Sequence, residues 1–304
     1  MAKIAVLGST GMLGSTMARV LTKSLHGVYE FNRSGISVVE SNSSFEFDVT
    51  KIKKLSRVFS DLEIDYIVNC IGMIKQVINN DKPEDIALAE EVNSNFLEEI
   101  ESFSKKYSIK VIQIGTDCVY SGQRGKYLES DTFDPTDVYG ITKSIGERYA
   151  TSSMLIRCSI IGRELSSKNS LMEWVLNQPL GAKINGYTNH IWNGVTTLQF
   201  SQIVLGIIES NSFKEGIQHL IPKDTVSKYE LINIIAGRFD RRDLSISKFR
   251  ADYSIDRSLA TNNLEQNLQL WQLGGYNEVP TIDEMVTAYT RWMPLQQVKN
   301  QEIN

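Results

Sequence analysis

Short apolar runs alternate with amphipathic stretches along the first half of the chain. The run at 3–7 is followed by a glycine, which is typical of a buried parallel strand. Residues 14–25 then carry apolar side chains at helical spacing, and the same alternation continues as far as Arg163. Further strands are predicted at 28–31, 45–48, 66–70, 110–114 and 153–157, with helices at 52–62, 86–106 and 139–149. This succession predicts an α/β fold built on a doubly wound parallel sheet.

After Arg163 the pattern loosens, and the second half reads as a smaller lobe interleaved with late elements of the sheet. Residues 185–197 are irregular and polar, and a frayed tail is expected at 296–304. Helices are predicted at 171–176, 197–209, 228–237, 259–264 and 281–292, with one strand at 217–221.

The composition excludes several classes of protein. The chain has 304 residues, 41% of them hydrophobic and 22% charged, which is ordinary for a soluble globular protein. A net charge of -4 gives no reason to expect a nucleic-acid partner, and no apolar stretch is long enough to cross a membrane. The three cysteines and three histidines show no disulfide or metal-ligand spacing, so no metal site is predicted and the cytoplasm is the expected location.

Three glycines spaced three apart follow the first predicted strand. Gly8, Gly11 and Gly14 form G-x-x-G-x-x-G, whereas a plain strand-to-helix turn needs a single glycine. Glycine lets the backbone approach a phosphate closely, and the following helix directs its first amides at the anion. The motif predicts a Rossmann-type dinucleotide-binding domain. The expected division is a dinucleotide-binding domain at 1–165 with 190–222 returning to it, and a smaller, interleaved C-terminal substrate lobe at 166–189 and 223–304.

The segment after the second predicted strand bears on the choice of cofactor. An acidic residue there would hold the ribose 2′-hydroxyl of NADH, but this chain has Arg33 and Ser34, which suit a 2′-phosphate. NADPH is therefore the predicted cofactor, with NADH as the alternative. Asp48 is placed either to accept a hydrogen bond from adenine or to cap the next helix. The predicted cofactor contacts are Gly8, Thr10, Gly11, Met12, Leu13, Asn32, Arg33, Ser34, Asp48, Val49, Cys70, Ile71, Gly72, Tyr139 and Lys143.

Tyr139 and Lys143 stand four positions apart on a predicted helix, so they share one face. A phenol normally keeps its proton to a pKa of about 10, and a neighbouring ammonium favours the phenolate. Thr116 lies just beyond the strand predicted at 110–114, at the sheet edge where ligands of such folds bind. Tyr-x-x-x-Lys also occurs by chance. What favours a nicotinamide redox enzyme is the order of glycine loop, Thr116, then Tyr139 and Lys143.

Together these stretches resemble the extended short-chain dehydrogenase/reductases, and among them the dTDP-4-dehydrorhamnose reductase group. The resemblance rests on residues 8–14, 116–122, 135–143, 146–147 and 156–162, with 256–259 similar to a late arginine segment of that group. It implies an oxidoreductase that reduces a 4-keto nucleotide sugar for polysaccharide or deoxysugar biosynthesis. It also implies that Tyr139 donates the proton, Lys143 binds the nicotinamide ribose and Thr116 orients the carbonyl.

The expected partner is accordingly a nucleotide-sugar substrate, and a homodimer is compatible with the sequence. Cys118 stands where that group usually has an aromatic residue, and 189–194 is unlike a generic member, so the sugar is expected to differ. Two alternatives remain: an epimerase or dehydratase that keeps NAD bound, and a non-catalytic regulatory subunit. Cys118 in place of a glutamate counts against dehydration. The predicted substrate contacts are Asp117, Cys118, Lys168, Trp192 and Arg257.

Overall fold

A seven-stranded parallel sheet organises the fold, which was obtained as a computed structural model that describes residues 1–50 and 55–293. Its order is β11-β6-β5-β4-β1-β2-β3, so the direction of winding reverses between β1 and β4. The prediction of a doubly wound parallel sheet is confirmed. The expected tail at 296–304 and the expected helix start at 52 lie outside the described residues. The strands of this sheet are β1 (Lys3–Leu7), β2 (Gly27–Asn32), β3 (Ser43–Glu46), β4 (Tyr66–Asn69), β5 (Lys110–Thr116), β6 (Met154–Cys158) and β11 (Gly216–His219).

The central strands are mostly apolar because the sheet is covered on both faces. Along β1, Ile4 and Val6 belong to one core cluster, whereas Ala5 and Leu7 belong to the cluster on the other side. Successive side chains of a strand point to opposite faces, which accounts for the uninterrupted apolar run. None of the helices in the described ranges is long and apolar enough to cross a bilayer. The helices are α1 (Met12–Leu21), α2 (Leu55–Leu62), α3 (Pro83–Glu90), α4 (Phe96–Tyr107), α5 (Val138–Tyr149), α6 (Leu171–Leu176), α7 (Thr197–Glu209), α8 (Lys228–Arg238), α9 (Leu264–Leu273) and α10 (Ile282–Trp292).

The long helix predicted at 86–106 is present, since residues 83–107 are helical without a break, but a π-helical turn at Glu91–Asn95 separates α3 from α4 within it. Asn93 in that turn is buried, and its side chain bonds the backbone of Met73 in both directions and donates to the Thr142 hydroxyl at 3.1 Å. A Cβ on Gly146 of α5 would lie 2.1 Å from the Asn93 carbonyl oxygen. Helix α5 therefore packs closely against the π-helical turn, and Asn93 of that turn joins α5 to the segment that follows β4.

The second half contains short strands that the sequence pattern did not predict. The stretch at 185–197, expected to be irregular, holds parts of three of them, and β9 lies between β12 and β14 in a small sheet. These strands are too short to show a clear alternation of apolar and polar residues. They are β7 (Ile160–Ile161), β8 (Lys183–Tyr187), β9 (His190–Trp192), β10 (Val195–Thr196), β12 (Val226–Ser227), β13 (Ser245–Phe249) and β14 (Ile255–Asp256).

The helix predicted at 259–264 is wrong, because that segment is held extended and α9 begins only at Leu264. Leu259 exchanges two hydrogen bonds with the side chain of Asn193, at 2.7 and 2.9 Å, and forms a bridge with Tyr127. Asn263 then caps the helix by accepting a hydrogen bond from the backbone N–H of Gln266 at 3.0 Å. Long-range pairing thus overrides the local helical pattern.

Candidate active site

The glycine loop lies against the carboxyl end of β4. Gly8 has φ of +77°, and a Cβ there would come within 2.9 Å of the Ile71 side chain. A Cβ on Gly14 would lie 2.1 Å from the Gly8 carbonyl oxygen, so neither position can carry a side chain without a shift of the backbone. Helix α1 begins directly after Gly11, whose backbone N–H donates to the Gly8 carbonyl at 3.0 Å. Gly8 of the loop therefore packs directly against Cys70 and Ile71, the two residues that follow β4.

Within this loop the predicted cofactor contacts differ in exposure. Thr10 and Gly11 are exposed at the start of α1, and Met12 is half-buried. Leu13 is buried in the core, so only its backbone faces the loop.

Asn32, at the end of β2, joins the glycine loop to the segment that carries Arg33. Its Nδ2 donates to the Ser9 hydroxyl at 2.9 Å, and its Oδ1 accepts from the backbone and hydroxyl of Ser34 at 3.1 and 2.8 Å. Asn32 is buried, whereas Arg33 and Ser34 are exposed beside the loop. The structure therefore brings Arg33 to the glycine loop through an ordered network.

Glu30 is a buried acid of β2 that the sequence analysis missed. Its carboxylate accepts hydrogen bonds from the backbone N–H groups of Val38 and Val39 at 2.8 and 3.1 Å, and from the side chains of Ser37 and Asn42, both at 2.9 Å. Hydrogen bonds to an ionised carboxylate are stronger than neutral ones. Glu30 thereby fixes the loop that follows Arg33. The occurrence of an acidic residue within an apolar strand could have indicated this role from the sequence.

Asp48 accepts hydrogen bonds from the backbone and the hydroxyl of Thr50, both at 3.0 Å. These contacts are those of a turn or helix cap, which was the second of the two interpretations of Asp48. Val49 beside it is half-buried and packs on the core cluster beneath β2.

Thr116, Tyr139 and Lys143 lie together at the carboxyl ends of β4 and β5. Thr116 is the last residue of β5, and its side chain is close enough to the Tyr139 phenol to influence the pKa of that group, while its hydroxyl accepts from the Cys118 backbone N–H at 3.2 Å. Asp137 caps the helix that carries Tyr139 by accepting from the Gly140 backbone at 2.8 Å. The Lys143 ammonium is buried beside Gly72, where an added Cβ would lie 3.7 Å from Nζ.

Burial dominates the charge states of this group. It raises the pKa of Tyr139, with Cys118 and Asp117 adding to the rise and the polar side chain of Thr116 opposing it. Burial also lowers the pKa of Lys143, while Glu147 opposes that change. From the sequence, the ammonium of Lys143 was expected to lower the pKa of the Tyr139 phenol. In the structure, burial is the larger influence, and it raises this pKa. Tyr139 therefore holds its proton at neutral pH, as a proton donor must.

A fully buried ion pair between Glu147 and Arg157 contacts the backbone of Thr116. It was not predicted from the sequence. Glu147 Oε1 accepts from the Thr116 backbone N–H at 3.1 Å, and Glu147 Oε2 accepts from Arg157 Nε and Nη2 at 3.1 and 2.6 Å. Arg157 Nη1 donates to the Tyr120 hydroxyl at 2.9 Å and lies 2.8 Å from His219 Nε2. Neither charged side chain exposes more than 1% of its surface.

His219 completes this network as a neutral imidazole. Burial, and then the charge of Arg157, lower its pKa to about 4. Its Nδ1 lies 2.7 Å from the Ala260 carbonyl oxygen, to which the neutral ring donates, and Nε2 accepts from Arg157. The network thus links the end of β5 to β6, β11 and the segment before α9.

On the other side of Tyr139, an acid, a thiol and two cations converge. Burial raises the pKa of Asp117, and Arg257 and Lys228 oppose that rise. Burial raises the pKa of the Cys118 thiol to about 12, so the group is protonated. Arg257 Nε donates to the Tyr120 carbonyl at 2.8 Å. Lys228, the first residue of α8, was not predicted, because its connection to Asp117 depends on long-range folding.

Of the two remaining predicted substrate contacts, Trp192 is buried in the core beside Lys228, whereas Lys168 is exposed. Trp192 is 3% exposed, belongs to the main core and donates from Nε1 to the Ser159 hydroxyl at 2.8 Å, with Lys228 Nζ 5.5 Å from its ring centre. Lys168 lies in the exposed loop before α6. In the part of the chain that the structure describes, no group of three or more His, Cys, Asp or Glu side chains is placed to hold a metal ion.

Comparison with known proteins gives consistent matches. The model of the RmlD substrate binding domain matches residues 2–253. A dTDP-4-dehydrorhamnose reductase of Aggregatibacter actinomycetemcomitans is 24% identical over 239 residues, 76% of each chain. A probable dTDP-glucose 4,6-dehydratase of Sinorhizobium fredii is 24% identical over 170 residues, 49% of this chain and 48% of its own length. The crystal structure of a Bacillus anthracis dTDP-4-dehydrorhamnose reductase in complex with NADP superposes with a TM-score of 0.76 at 18% identity, covering 95% of this chain and 98% of that one.

Proposed function

This chain belongs to the RmlD substrate binding domain family, and from that premise we propose that it reduces a keto group on a nucleotide-bound sugar with NADPH. The observation that carries the proposal is the meeting of Thr116, Tyr139 and Lys143 at the sheet edge beside the glycine loop. The relative named dTDP-4-dehydrorhamnose reductase and the neighbour bound to NADP support the same reaction and cofactor. The sugar would then serve polysaccharide or deoxysugar biosynthesis.

The residues of the glycine loop fit a dinucleotide. Neither Gly8 nor Gly14 has room for a side chain, so the backbone itself can approach a pyrophosphate, and α1 starts beside it. The exposed Arg33 and Ser34 would meet the 2′-phosphate of NADPH, and NADH is the alternative donor. Asn32 and Glu30 would hold that loop in place.

In the proposed reaction, bound NADPH would supply the hydride. The side chains of this protein position the keto oxygen and donate a proton to it. Thr116 donates a hydrogen bond to that oxygen as it gains negative charge. Tyr139, held neutral by burial, gives the oxygen its proton. Lys143, buried beside Gly72, would hold the nicotinamide ribose.

The substrate side is assigned to the second half of the chain. Arg257 would grip the diphosphate, since guanidinium binds such groups through two parallel hydrogen bonds. Asp117 and Cys118 line the approach to Tyr139, whereas the burial of Trp192 favours a supporting role for that ring. We keep the division into 1–165 with 190–222 and 166–189 with 223–304, the homodimer and the cytoplasmic location as predictions.

Dehydration is the main competing reaction, because one relative is a probable dehydratase. By the resemblance described above, Cys118 stands where a dehydratase carries a glutamate. A thiol with a pKa of about 12 stays protonated at neutral pH and cannot take up a proton as a carboxylate would. Cys118 therefore favours reduction.

The proposal is tested by turnover of 4-keto nucleotide sugars with NADPH by the wild type and Tyr139→Phe. We expect Tyr139→Phe to keep its fold and cofactor affinity but to lose ~10²–10⁴-fold in kcat, the usual contribution of a general acid. Near-normal kcat in Tyr139→Phe would assign the proton to another group. No turnover by the wild type on the whole panel, together with intact NADPH binding, would favour the non-catalytic regulatory subunit.

A further inference from the structure

The small sheet of the second half sets two cations on either side of β9. Strand β12 pairs with β9 so that Ser227 lies opposite Ile191, and Lys228 follows Ser227 directly. Strand β14 pairs with β9 so that Ile255 lies opposite His190, and Arg257 follows that strand. The register therefore fixes His190 between the strands that lead to Lys228 and Arg257.

The same sheet is joined to the catalytic edge. The Asp256 backbone N–H donates to the Gly122 carbonyl at 2.7 Å, and Arg257 Nε donates to the Tyr120 carbonyl at 2.8 Å. Residues 120–122 come directly after the short helical turn at Asp117–Val119. A ligand that reaches Tyr139 past Asp117 thus meets the two cations next.

Beyond the cations lies a group of stacked rings, here called the aromatic platform: Tyr187, His190, Phe249 and Tyr253. The His190 ring stacks on Tyr187 with centroids 4.5 Å apart, and it lies 5.5 Å from Tyr253. Phe249 packs edge-on against Tyr187 at 5.6 Å. Tyr187, Phe249 and Tyr253 are nevertheless 40%, 44% and 66% exposed. Such a cluster of exposed rings usually marks a binding surface.

The aromatic platform is held in place from below by a buried amide. Asn189, 8% exposed, donates from Nδ2 to the carbonyls of Ala251 and Tyr253 at 2.9 and 3.1 Å. Its Oδ1 accepts from the Ala251 backbone at 3.0 Å. The loop that carries Tyr253 is therefore fixed against β9, and its ring is presented to solvent by an ordered backbone.

We propose that the aromatic platform binds the nucleobase of the substrate, while Lys228 joins Arg257 at the diphosphate. Asp117 lies close enough to Tyr139 to act on it, Arg257 and Lys228 act on Asp117, and the same two cations act on His190. From Tyr139, the side chains therefore offer hydroxyl groups, then two cations, then aromatic rings. That order matches the order of sugar, diphosphate and base in a nucleotide sugar. Bases stack on aromatic side chains, and phosphates pair with cations. The inference rests on the proposed function, since it assigns the far end of the same substrate.

The adjacent cations are the reason for choosing a nucleotide over a second copy of this chain. A self-association surface would need an acidic patch opposite Lys228 and Arg257, whereas a nucleoside diphosphate supplies the anion and the ring in one molecule. Asp117 faces both cations from the catalytic side, whereas Asp137, which also faces Arg257, is already paired with Lys75 at 2.7 Å. One positive charge is therefore left without a carboxylate of its own.

Calorimetric titration of the full chain with dTDP, UDP, GDP and inorganic pyrophosphate tests the proposal. We expect the wild type to bind at least one nucleoside diphosphate, and Tyr253→Ala to weaken it on the order of tenfold, the usual effect of losing one stacking ring. Pyrophosphate binding should be unchanged in Tyr253→Ala, but Lys228→Met should weaken both ligands. Tyr253→Phe, which keeps the ring, and Tyr107→Ala, which removes a 38% exposed ring on α4, are the matched controls and should bind like the wild type.

Equal nucleoside diphosphate affinity in Tyr253→Ala and the wild type would overturn the assignment. The assignment would also be overturned if the wild type were a dimer and Tyr253→Ala dissociated it without loss of nucleotide binding. The aromatic platform would then be a subunit interface. If the reductase proposal fails, the wild type shows no turnover of keto sugars. The titrations would still show whether Tyr253 contributes to nucleoside diphosphate binding, so the two failures are distinguishable.

Discussion

Arg157→Met should destabilise this protein far more than the removal of one charge from its surface. The guanidinium and the Glu147 carboxylate are both buried, and Nε and Nη2 donate to the same oxygen at 3.1 and 2.6 Å. Without Arg157 the carboxylate loses its counter-charge, and breaking a buried pair in this way costs about 3–5 kcal/mol. At ~2.1 cal/mol/K of unfolding entropy per residue over 304 residues, Tm should fall by roughly 5–8 °C.

Scanning calorimetry of the wild type, Arg157→Met, Glu147→Gln and the double variant measures this coupling. The double variant should regain much of the stability lost in Arg157→Met, because it carries no unpaired charge. Arg238→Met is the control, since its partner Asp283 and Arg238 itself are 41% and 46% exposed and the pair is screened by solvent. A double variant that loses the sum of the two single losses would refute the reasoning, as would an Arg157→Met protein as stable as the control.

Three further predictions concern ligands. Arg33→Ala should lose about tenfold in NADPH affinity with NADH affinity unchanged, since a hydrogen bond to a charged group contributes ~1.5–3 kcal/mol; equal wild-type affinities for the two cofactors would remove this role. Lys143→Met should lower both cofactor affinity and kcat, whereas Thr116→Ala should mainly lower kcat, and an equal loss of NADPH affinity in both would place Thr116 in the cofactor cleft. Burial lowers the pKa of Lys228 to about 8, so its charge is present below that pH and lost above it. KM for a nucleotide sugar should therefore rise above pH 8, and a rise that persists in Lys228→Arg would belong to another group.

Local patterns were sufficient to predict the main sheet. Most of its strands are buried on both faces and appear as apolar runs, with the partly exposed β3 as an exception, and the helices between them carry their own periodicity. The resemblance to the dTDP-4-dehydrorhamnose reductase group is confirmed by the family match. Where prediction failed, as at 259–264, a long-range partner such as Asn193 decided the local conformation.

In the site, too, local spacing could be predicted from the sequence, whereas long-range contacts could not. Tyr139 and Lys143 were placed on one face by their helical spacing, and the end of β5 brought Thr116 to them. The pairing of Glu147 with Arg157 depends on how α5 packs against β6, and the position of Lys228 depends on the small sheet around β9. No local pattern contains either contact.

The position of β11 has a consequence for biosynthesis. Strand β6 lies between β5 and β11, and residues 216–219 leave the ribosome long after 154–158. Until they arrive, β6 is an open edge with unpaired backbone groups, and Arg157 lacks the imidazole of His219 beneath the sheet. A chain that stopped at residue 165 would expose that edge permanently and invite aggregation. Residues 1–165 therefore do not make a complete sheet, because β6 gains its second neighbour only when residues 216–219 have been synthesised.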